Sequence, residues 1–246
     1  MKVSIITVCY NSEKTIKETI ESVLDQNYSN LEYIVIDGQS NDTTNEIINE
    51  YKDSISYYLS EPDSGIYDAM NKGIAAATGD LIGILNSDDV YVNNQVISKV
   101  VDSIGNNDGV YADLIYVDQQ NLNKVKRVWK SGKYTHGAFK WGWMPPHPTF
   151  FVRRKCYENY GNYNLIMQSA ADYEYMLRVI HKHKISLSYL SEVIIKMRTG
   201  GVSNINLKNR FKANRDDKKA WELNELKPHL LTFFLKPIRK IFQFRI

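Results

Sequence analysis

Two aspartates stand side by side at Asp88-Asp89, just after the apolar run Leu81–Leu85. Adjacent carboxylates repel, and that cost is tolerated where a divalent cation or a sugar hydroxyl engages them. Mg²⁺ and Mn²⁺ take one or two carboxylates and complete their shell with water and substrate phosphates. The pair therefore points to metal-dependent binding of a diphosphate. Other apolar runs also end in acids: Asp37 follows Leu31–Ile36, and Glu61 and Asp63 follow Ile55–Leu59. A single acid after a strand is a common turn-former. The first run, Val3–Cys9, delivers Tyr10 and Asn11. Asp68, Asn71 and Lys72 fall on one predicted helix, with Asp68 and Asn71 sharing a face at i, i+3 and Lys72 able to pair with Asp68 at i+4. Asp172 opens a later helix, where a carboxylate serves as N-cap. His147 lies between Pro146 and Pro148, held by their fixed φ angles.

Those acids need a scaffold that gathers them. Val3–Cys9 is nearly continuous in apolar residues, as a strand buried on both faces must be. Ile16, Ile20, Val23 and Leu24 then repeat at i, i+4, i+7 and i+8, the spacing of an amphipathic helix. Leu31–Ile36 is a second strand, Ser40 or Asn41 caps a helix carrying Ile47, Ile48 and Tyr51, and Ile55–Leu59 is a short third strand. Gly65–Thr78 is a third helix closed by Gly79, and Leu81–Leu85 a fourth strand. Four such units predict a doubly wound, right-handed parallel sheet. Ligands of an open sheet bind beyond the carboxyl ends of its strands, which is where the acids fall.

The pattern changes in the second half. Val110–Val117 and Val125–Trp129 read as an antiparallel pair around the polar turn Asp118–Asn123. Residues 131–148 read as an irregular loop, Thr149–Val152 as a return to the sheet, and Tyr173–His181 as a helix with Tyr173, Met176, Leu177 and Ile180 inward. Ile185–Leu190 and Val193–Met197 are two short strands before Gly200-Gly201. The chain is helical and basic from Leu207 onward.

The 246 residues are 43% hydrophobic and 24% charged, with 12% aromatics. That composition suits one large domain with an appendage and excludes disorder. No apolar stretch is long enough to span a membrane, and Val3–Val8 is too short for a signal sequence. Two cysteines, Cys9 and Cys156, make no disulfide framework and suggest a reducing, cytoplasmic setting. The net charge of +3 is unevenly spread. Residues 208–246 hold eleven Lys and Arg against four acids, a local net of +7, so the remainder carries −4.

Several motifs together resemble bacterial family-two glycosyltransferases with the GT-A fold. They are Val3-Ser-Ile-Ile-Thr-Val-Cys-Tyr-Asn11, Val35-Ile-Asp-Gly38 and Asp88-Asp89. Asp63-Ser-Gly-Ile-Tyr-Asp-Ala-Met-Asn-Lys-Gly73, Leu85-Asn-Ser-Asp-Asp89, Pro146-His-Pro-Thr-Phe150, Ala171-Asp-Tyr-Glu174 and Gly200-Gly-Val-Ser203 are similar to the branch that builds O-antigen and capsule repeats. The resemblance covers residues 1–205, and it divides them into a nucleotide-sugar half, 1–105, and an acceptor half, 106–205, with a basic amphipathic tail at 206–246.

It implies an inverting hexosyltransferase using a UDP-sugar, UDP-glucose first and UDP-galactose next. The implied acceptor is an undecaprenyl-diphosphate-linked saccharide, with a β-1,3 bond as the leading linkage. Asp37 would bond the uracil, with Val8 and Tyr10 walling the base or simply packing the core, and Asn11 beside them. Asp88 would touch ribose or donor sugar, and Asp89 would hold Mn²⁺ or Mg²⁺. Asn86 stands where many relatives carry Asp, which leaves it a supporting role. Asp68 and Asn71 go to the donor pocket, and Asp172 to the general base. Glu174, two residues on, would face away. His147 is in reach of the metal or the acceptor diphosphate. Trp141 and Trp143 lie on the acceptor side, where one stacks on a sugar and the other serves structure.

Three competing classes fit less well. A nucleotidyltransferase needs a Gly-rich basic loop after the first strand, and Asn11-Ser-Glu-Lys14 has no glycine. An aspartyl phosphatase wants a nucleophilic Asp where Tyr10-Asn11 stands. A nucleic-acid or membrane adaptor leaves the strand-end acids unexplained, and no nucleic-acid partner is expected. In the tail, Leu231, Phe234, Leu235, Ile238, Ile241 and Phe242 follow helical spacing opposite Lys236, Arg239 and Lys240, and Pro237 predicts two short helices. Such a segment suits an anionic membrane surface, on the cytoplasmic face of the inner membrane, or it packs on the protein's own sheet.

Overall fold

The fold is seen in a computed structural model that describes residues 1–167, 169–200 and 207–241, with 207–214 and 237–241 described by their backbone only. The first half follows the strand–helix alternation: β1 (Val3–Cys9), α1 (Ile16–Leu24), β2 (Leu31–Asp37), α2 (Thr44–Glu50), β3 (Tyr57–Ser60), α3 (Ile66–Ala76) and β4 (Leu81–Ile84). β1 pairs parallel with β2 and with β4, and β2 with β3. All seven residues of β1 are buried, as helices on both faces require. α3 comes so near β1 that a Cβ on Gly73 would lie 2.4 Å from Ile6 Cγ2.

Next come β5 (Asp89–Tyr91), α4 (Val96–Ile104), β6 (Gly109–Val117) and β7 (Val125–Trp129). They are followed by β8 (Phe151–Arg153), α5 (Arg154–Tyr160), α6 (Ala171–Met176) and β9 (Leu187–Arg198), and then by α7 (Leu207–Leu223) and α8 (Thr232–Ile241). The sheet order is β3-β2-β1-β4-β8-β6-β9-β5, with β7 on β6. β8 is antiparallel to β4 and β6, β7 to β6 and β5 to β9, whereas β6 and β9 run parallel. The expected α/β sheet with an antiparallel extension is present.

Several local expectations change. Asp89 begins β5 rather than ending a turn, because it pairs with Met197 far along the chain. The two short strands near 185–197 form a single strand, β9, whose register shifts on either side of Asp113 absorb Ser191, Glu192 and Ile194. α6 continues into a π-helical turn, Leu177–Lys182. α4 and α5 add two helices, α4 burying Val96, Ile97, Val100 and Ile104. α8 runs as one helix through Pro237. Its start is clamped to the body by Thr232 Oγ1, which donates to the Lys140 carbonyl at 2.7 Å, and by Lys236 Nζ on Asp217 at 2.7 Å. A Cβ on Gly142 (φ +72°) would lie 2.5 Å from the Lys236 nitrogen, so glycine admits the helix there. The Gly-Gly loop beyond Gly200, and the side chains of Ile238, Ile241 and Phe242, lie outside the described residues. No helix among the described residues is long and apolar enough to cross a membrane.

Candidate active site

Register places Cys9, Asp37 and Ser60 side by side at the carboxyl ends of β1, β2 and β3. The acid-bearing turn after β4 lies at the same edge, and its main chain is held from two elements. Thr19 Oγ1, on the buried stripe of α1, donates to the carbonyls of Ser87 at 3.0 Å and Asp89 at 2.8 Å. Arg198, at the end of β9, donates from Nη1 to the Asp88 carbonyl at 2.7 Å and pairs with Glu18. Ser12 and Ser87 hydroxyls meet at 2.8 Å. Neither Thr19 nor Arg198 is legible as a site residue, since each is distant in sequence from the turn it holds.

With the main chain anchored, two side-chain oxygens are stranded. Asn86 Nδ2 donates to Asp89 Oδ2 at 3.3 Å. Asn86 Oδ1 and Asp89 Oδ1 are buried with no hydrogen-bond partner among the described residues. Burial first, and the neighbouring Asp88 second, push the Asp89 carboxyl well above the usual range. Burial also raises Asp88, against a smaller opposing pull from Arg198. Buried oxygens without donors beside an electrostatically strained carboxylate form the environment a cation relieves. Among the described residues no three His, Cys, Asp or Glu cluster as a metal cage.

The residues expected around the uracil divide differently from that expectation. Asp37 is fully buried, and both its oxygens are occupied. Oδ1 accepts from Ser40 Oγ at 2.5 Å, and Oδ2 from the Ser40 amide at 3.0 Å and Ser60 Oγ at 2.7 Å. Val8 is a core residue, whereas Tyr10 is 59% exposed. Asp63 packs over Gly38, where a Cβ would lie 2.4 Å from Asp63 Oδ2 and 3.5 Å from Tyr10. Tyr10 and Asp63 are thus what this edge turns outward. Asn11 takes a left-handed φ of 49°, which Asn tolerates, and joins two loops through Ser40 and Asn41.

On α3, Asp68 accepts from the Ser64 amide at 3.0 Å and lies 3.7 Å from Lys72, which sits closer to Glu61 at 2.9 Å. Asn71 is taken up elsewhere: its amide bonds the Tyr163 main chain in both directions, at 2.9 and 3.0 Å. This corrects its placement in the donor pocket, because both ends of the amide are occupied.

Asp172 is not an N-cap. α6 begins at Ala171 with Ala170 before it, and the Asp172 carboxylate instead accepts the Tyr67 hydroxyl at 2.9 Å on Oδ1. His147 Nε2 meets the Tyr163 hydroxyl at 2.8 Å, and Tyr67 and Tyr163 rings lie 5.7 Å apart. Burial lowers the His147 pKa, against a smaller raising effect of Asp172. Glu174 is excluded from acid–base work by its own partners, Arg178 at 3.0 Å and Asn224 at 2.8 Å. Trp143 is corrected from a sugar-stacking surface to a core residue: it is 6% exposed, donates to the Ser131 carbonyl at 2.8 Å and meets Tyr111 and Phe139 edge-on. Trp141 is the exposed one, against His229 of the tail.

A parallel half-sheet, β1 to β4, continued by an antiparallel extension is the GT-A fold. The chain belongs to glycosyl transferase family 2, whose model matches residues 4–183. An uncharacterized glycosyltransferase of Mycobacterium tuberculosis is 34% identical over 178 residues, 72% of this chain and 68% of that one. The Escherichia coli UDP-Glc:alpha-D-GlcNAc-diphosphoundecaprenol beta-1,3-glucosyltransferase WfgD is 38% identical over 106 residues, 43% of this chain and 42% of its own. Two solved structures share the fold at 17% identity. Staphylococcus aureus TarS with UDP-GlcNAc has a TM-score of 0.69 over 91% of this chain and 70% of that one. The mannosyltransferase PcManGT of Pyrobaculum calidifontis with GDP-Man and Mn²⁺ has 0.66 over 97% and 72%.

Proposed function

We propose that this glycosyltransferase moves glucose from UDP-glucose to an undecaprenyl-diphosphate-linked saccharide, with inversion and a β-1,3 bond, in O-antigen or capsule assembly. The WfgD likeness supports the donor and acceptor classes. The observation that carries the chemistry is the acid turn, whose backbone is pinned while Asn86 Oδ1 and Asp89 Oδ1 stay stranded. Asp89, supported by Asn86, would hold Mn²⁺ or Mg²⁺, which when bound neutralises charge on the leaving diphosphate. Residues 1–105 bind the donor, with Asp88 toward ribose or sugar and Tyr10 at the base, while Asp37, buried behind it, holds the Ser40 loop in place. Residues 106–205 bind the acceptor, with His147 beside it. Asp172 removes the acceptor proton as the new bond forms at the anomeric carbon and the bond to UDP breaks.

Thermal shift against UDP-glucose, UDP-galactose, UDP-GlcNAc and GDP-mannose, each with Mn²⁺, tests the donor. A hundredfold excess over Kd stabilises by about 2.7 kcal/mol. The largest shift is expected with UDP-glucose, and a larger one with GDP-mannose would overturn the reading.

We place the enzyme peripherally on the cytoplasmic face of the inner membrane, through residues 206–246. Leu230 is 89% exposed and Phe234 70%, with Leu231 and Trp141 nearby and also exposed, in the basic part of the chain. An apolar patch among lysines and arginines suits an anionic interface. Flotation with anionic liposomes should be lost in Leu230→Glu/Phe234→Glu; equal flotation of this variant and the parent protein would contradict the placement.

A further inference from the structure

α3 reaches across to the acceptor half with two side chains one turn apart. Asn71 ties down the Tyr163 main chain, and Tyr67, four residues earlier on the same face, reaches Asp172. We infer that Tyr67 is the positioning residue for the carboxylate that activates the acceptor: its hydroxyl holds Asp172 by Oδ1 and leaves Oδ2 to take the acceptor's proton. The inference rests on the reading of Asp172 as general base.

The surroundings fit that division of the two oxygens. Asp172 Oδ2 has no hydrogen-bond partner among the described residues, whereas Oδ1 has the phenol at 2.9 Å. Burial first, then Asp172 itself, push the Tyr67 hydroxyl well above its usual pKa, so it stays protonated and donates throughout.

The other charged and titratable groups around Asp172 are accounted for. Tyr163 and His147 bond each other. Glu174 is paired with Arg178. On α7, which packs on α6, Asp216 takes the Ser169 hydroxyl and Asp217 takes Lys236. In the transfer step the acceptor O–H proton goes to Oδ2 while the acceptor oxygen bonds the anomeric carbon and UDP departs with its bonding pair. Tyr67 keeps its own proton.

A hydrogen bond to the ionised form lowers a carboxyl pKa, so removing it must raise that pKa. Tyr67→Phe keeps the ring and deletes only the donor. In aspartate-¹³C-carboxyl NMR of the full chain, with the Asp172 signal assigned by its loss in Asp172→Asn, the Asp172 midpoint should rise by about one pH unit in Tyr67→Phe. 3-Fluorotyrosine at position 67, a stronger donor, should move it down and covers the case of a poorly folded Phe variant. A midpoint unmoved by both overturns the inference. UDP release from UDP-glucose, with a short-chain GlcNAc diphosphate as acceptor, should show kcat roughly tenfold lower in Tyr67→Phe, donor KM unchanged and the acid limb shifted up. Full turnover by Asp172→Asn would sink the reading of Asp172 as base. Slow Asp172→Asn beside unimpaired Tyr67→Phe would sink the role of Tyr67 alone.

Discussion

The acid turn after β4 and the acid at the start of α6 are held in opposite ways. At Asn86–Asp89 the protein grips the backbone: Thr19 and Arg198 take the carbonyls, and two buried side-chain oxygens have no donor among the described residues. At Asp172 the grip is on the carboxylate itself, through Tyr67, and the second oxygen is spared. An oxygen stranded in a buried site favours a cation. A carboxylate with one satisfied and one open oxygen favours proton transfer in a defined direction. Two aspartates of similar chemistry thereby have different surroundings, and single substitutions separate the metal-binding and proton-accepting roles proposed for them.

The largest effect is expected at Asp89. Partners that merely support a metal ligand matter by roughly 10–100-fold in affinity, and a direct ligand should exceed that. Asp89→Ala should therefore lose Mn²⁺ binding in the presence of UDP, read from the free-Mn²⁺ EPR signal. Retained binding would make the turn a structural feature. Asp172→Asn comes next, with turnover down at least about a hundredfold and donor affinity intact, measured by single-turnover kinetics beside a binding titration.

A third substitution sharpens the comparison from outside it. Glu32, on β2, is gripped by Lys2, Ser4 and Thr78. Burial alone would raise its pKa, but these hydrogen bonds outweigh it and hold the carboxyl at about 2. A depressed folded pKa contributes stability that is present above the unfolded value, near 4.5, and is lost as pH falls toward 2. Glu32→Gln should cost about 2 kcal/mol at pH 7, most of it gone by pH 2, in denaturant melts, with UDP affinity unchanged. The smallest effect is expected from Thr19→Val, which keeps the shape and removes one hydroxyl from two carbonyls. UDP affinity with Mn²⁺ should fall about tenfold in calorimetry, and an unchanged affinity would mean Arg198 anchors the turn alone.

The first half of the chain, residues 1–105, is the more legible in sequence. Continuous apolar runs such as Val3–Cys9 mark strands buried on both faces, and the adjacent acids at 88–89 stand out at the end of one. What escapes is whatever depends on a distant partner. Asp89 opens β5 because of Met197, and the N-cap expected of Asp172 gives way to a bond from Tyr67, 105 residues earlier. Asn71 shares a helix with Asp68 yet serves Tyr163, and Trp143, two residues from the exposed Trp141, is sunk among Tyr111 and Phe139. Periodicity names a helix face without naming what covers it.

The division of labour between the two aspartates is tested most directly by calorimetry of UDP binding with and without Mn²⁺, run on the parent protein, Asp89→Asn and Asp172→Asn. The account predicts that Mn²⁺ strengthens UDP binding in the parent and in Asp172→Asn alike, and does nothing for Asp89→Asn. Mn²⁺-strengthened binding that survives in Asp89→Asn, or that disappears in Asp172→Asn, would contradict it.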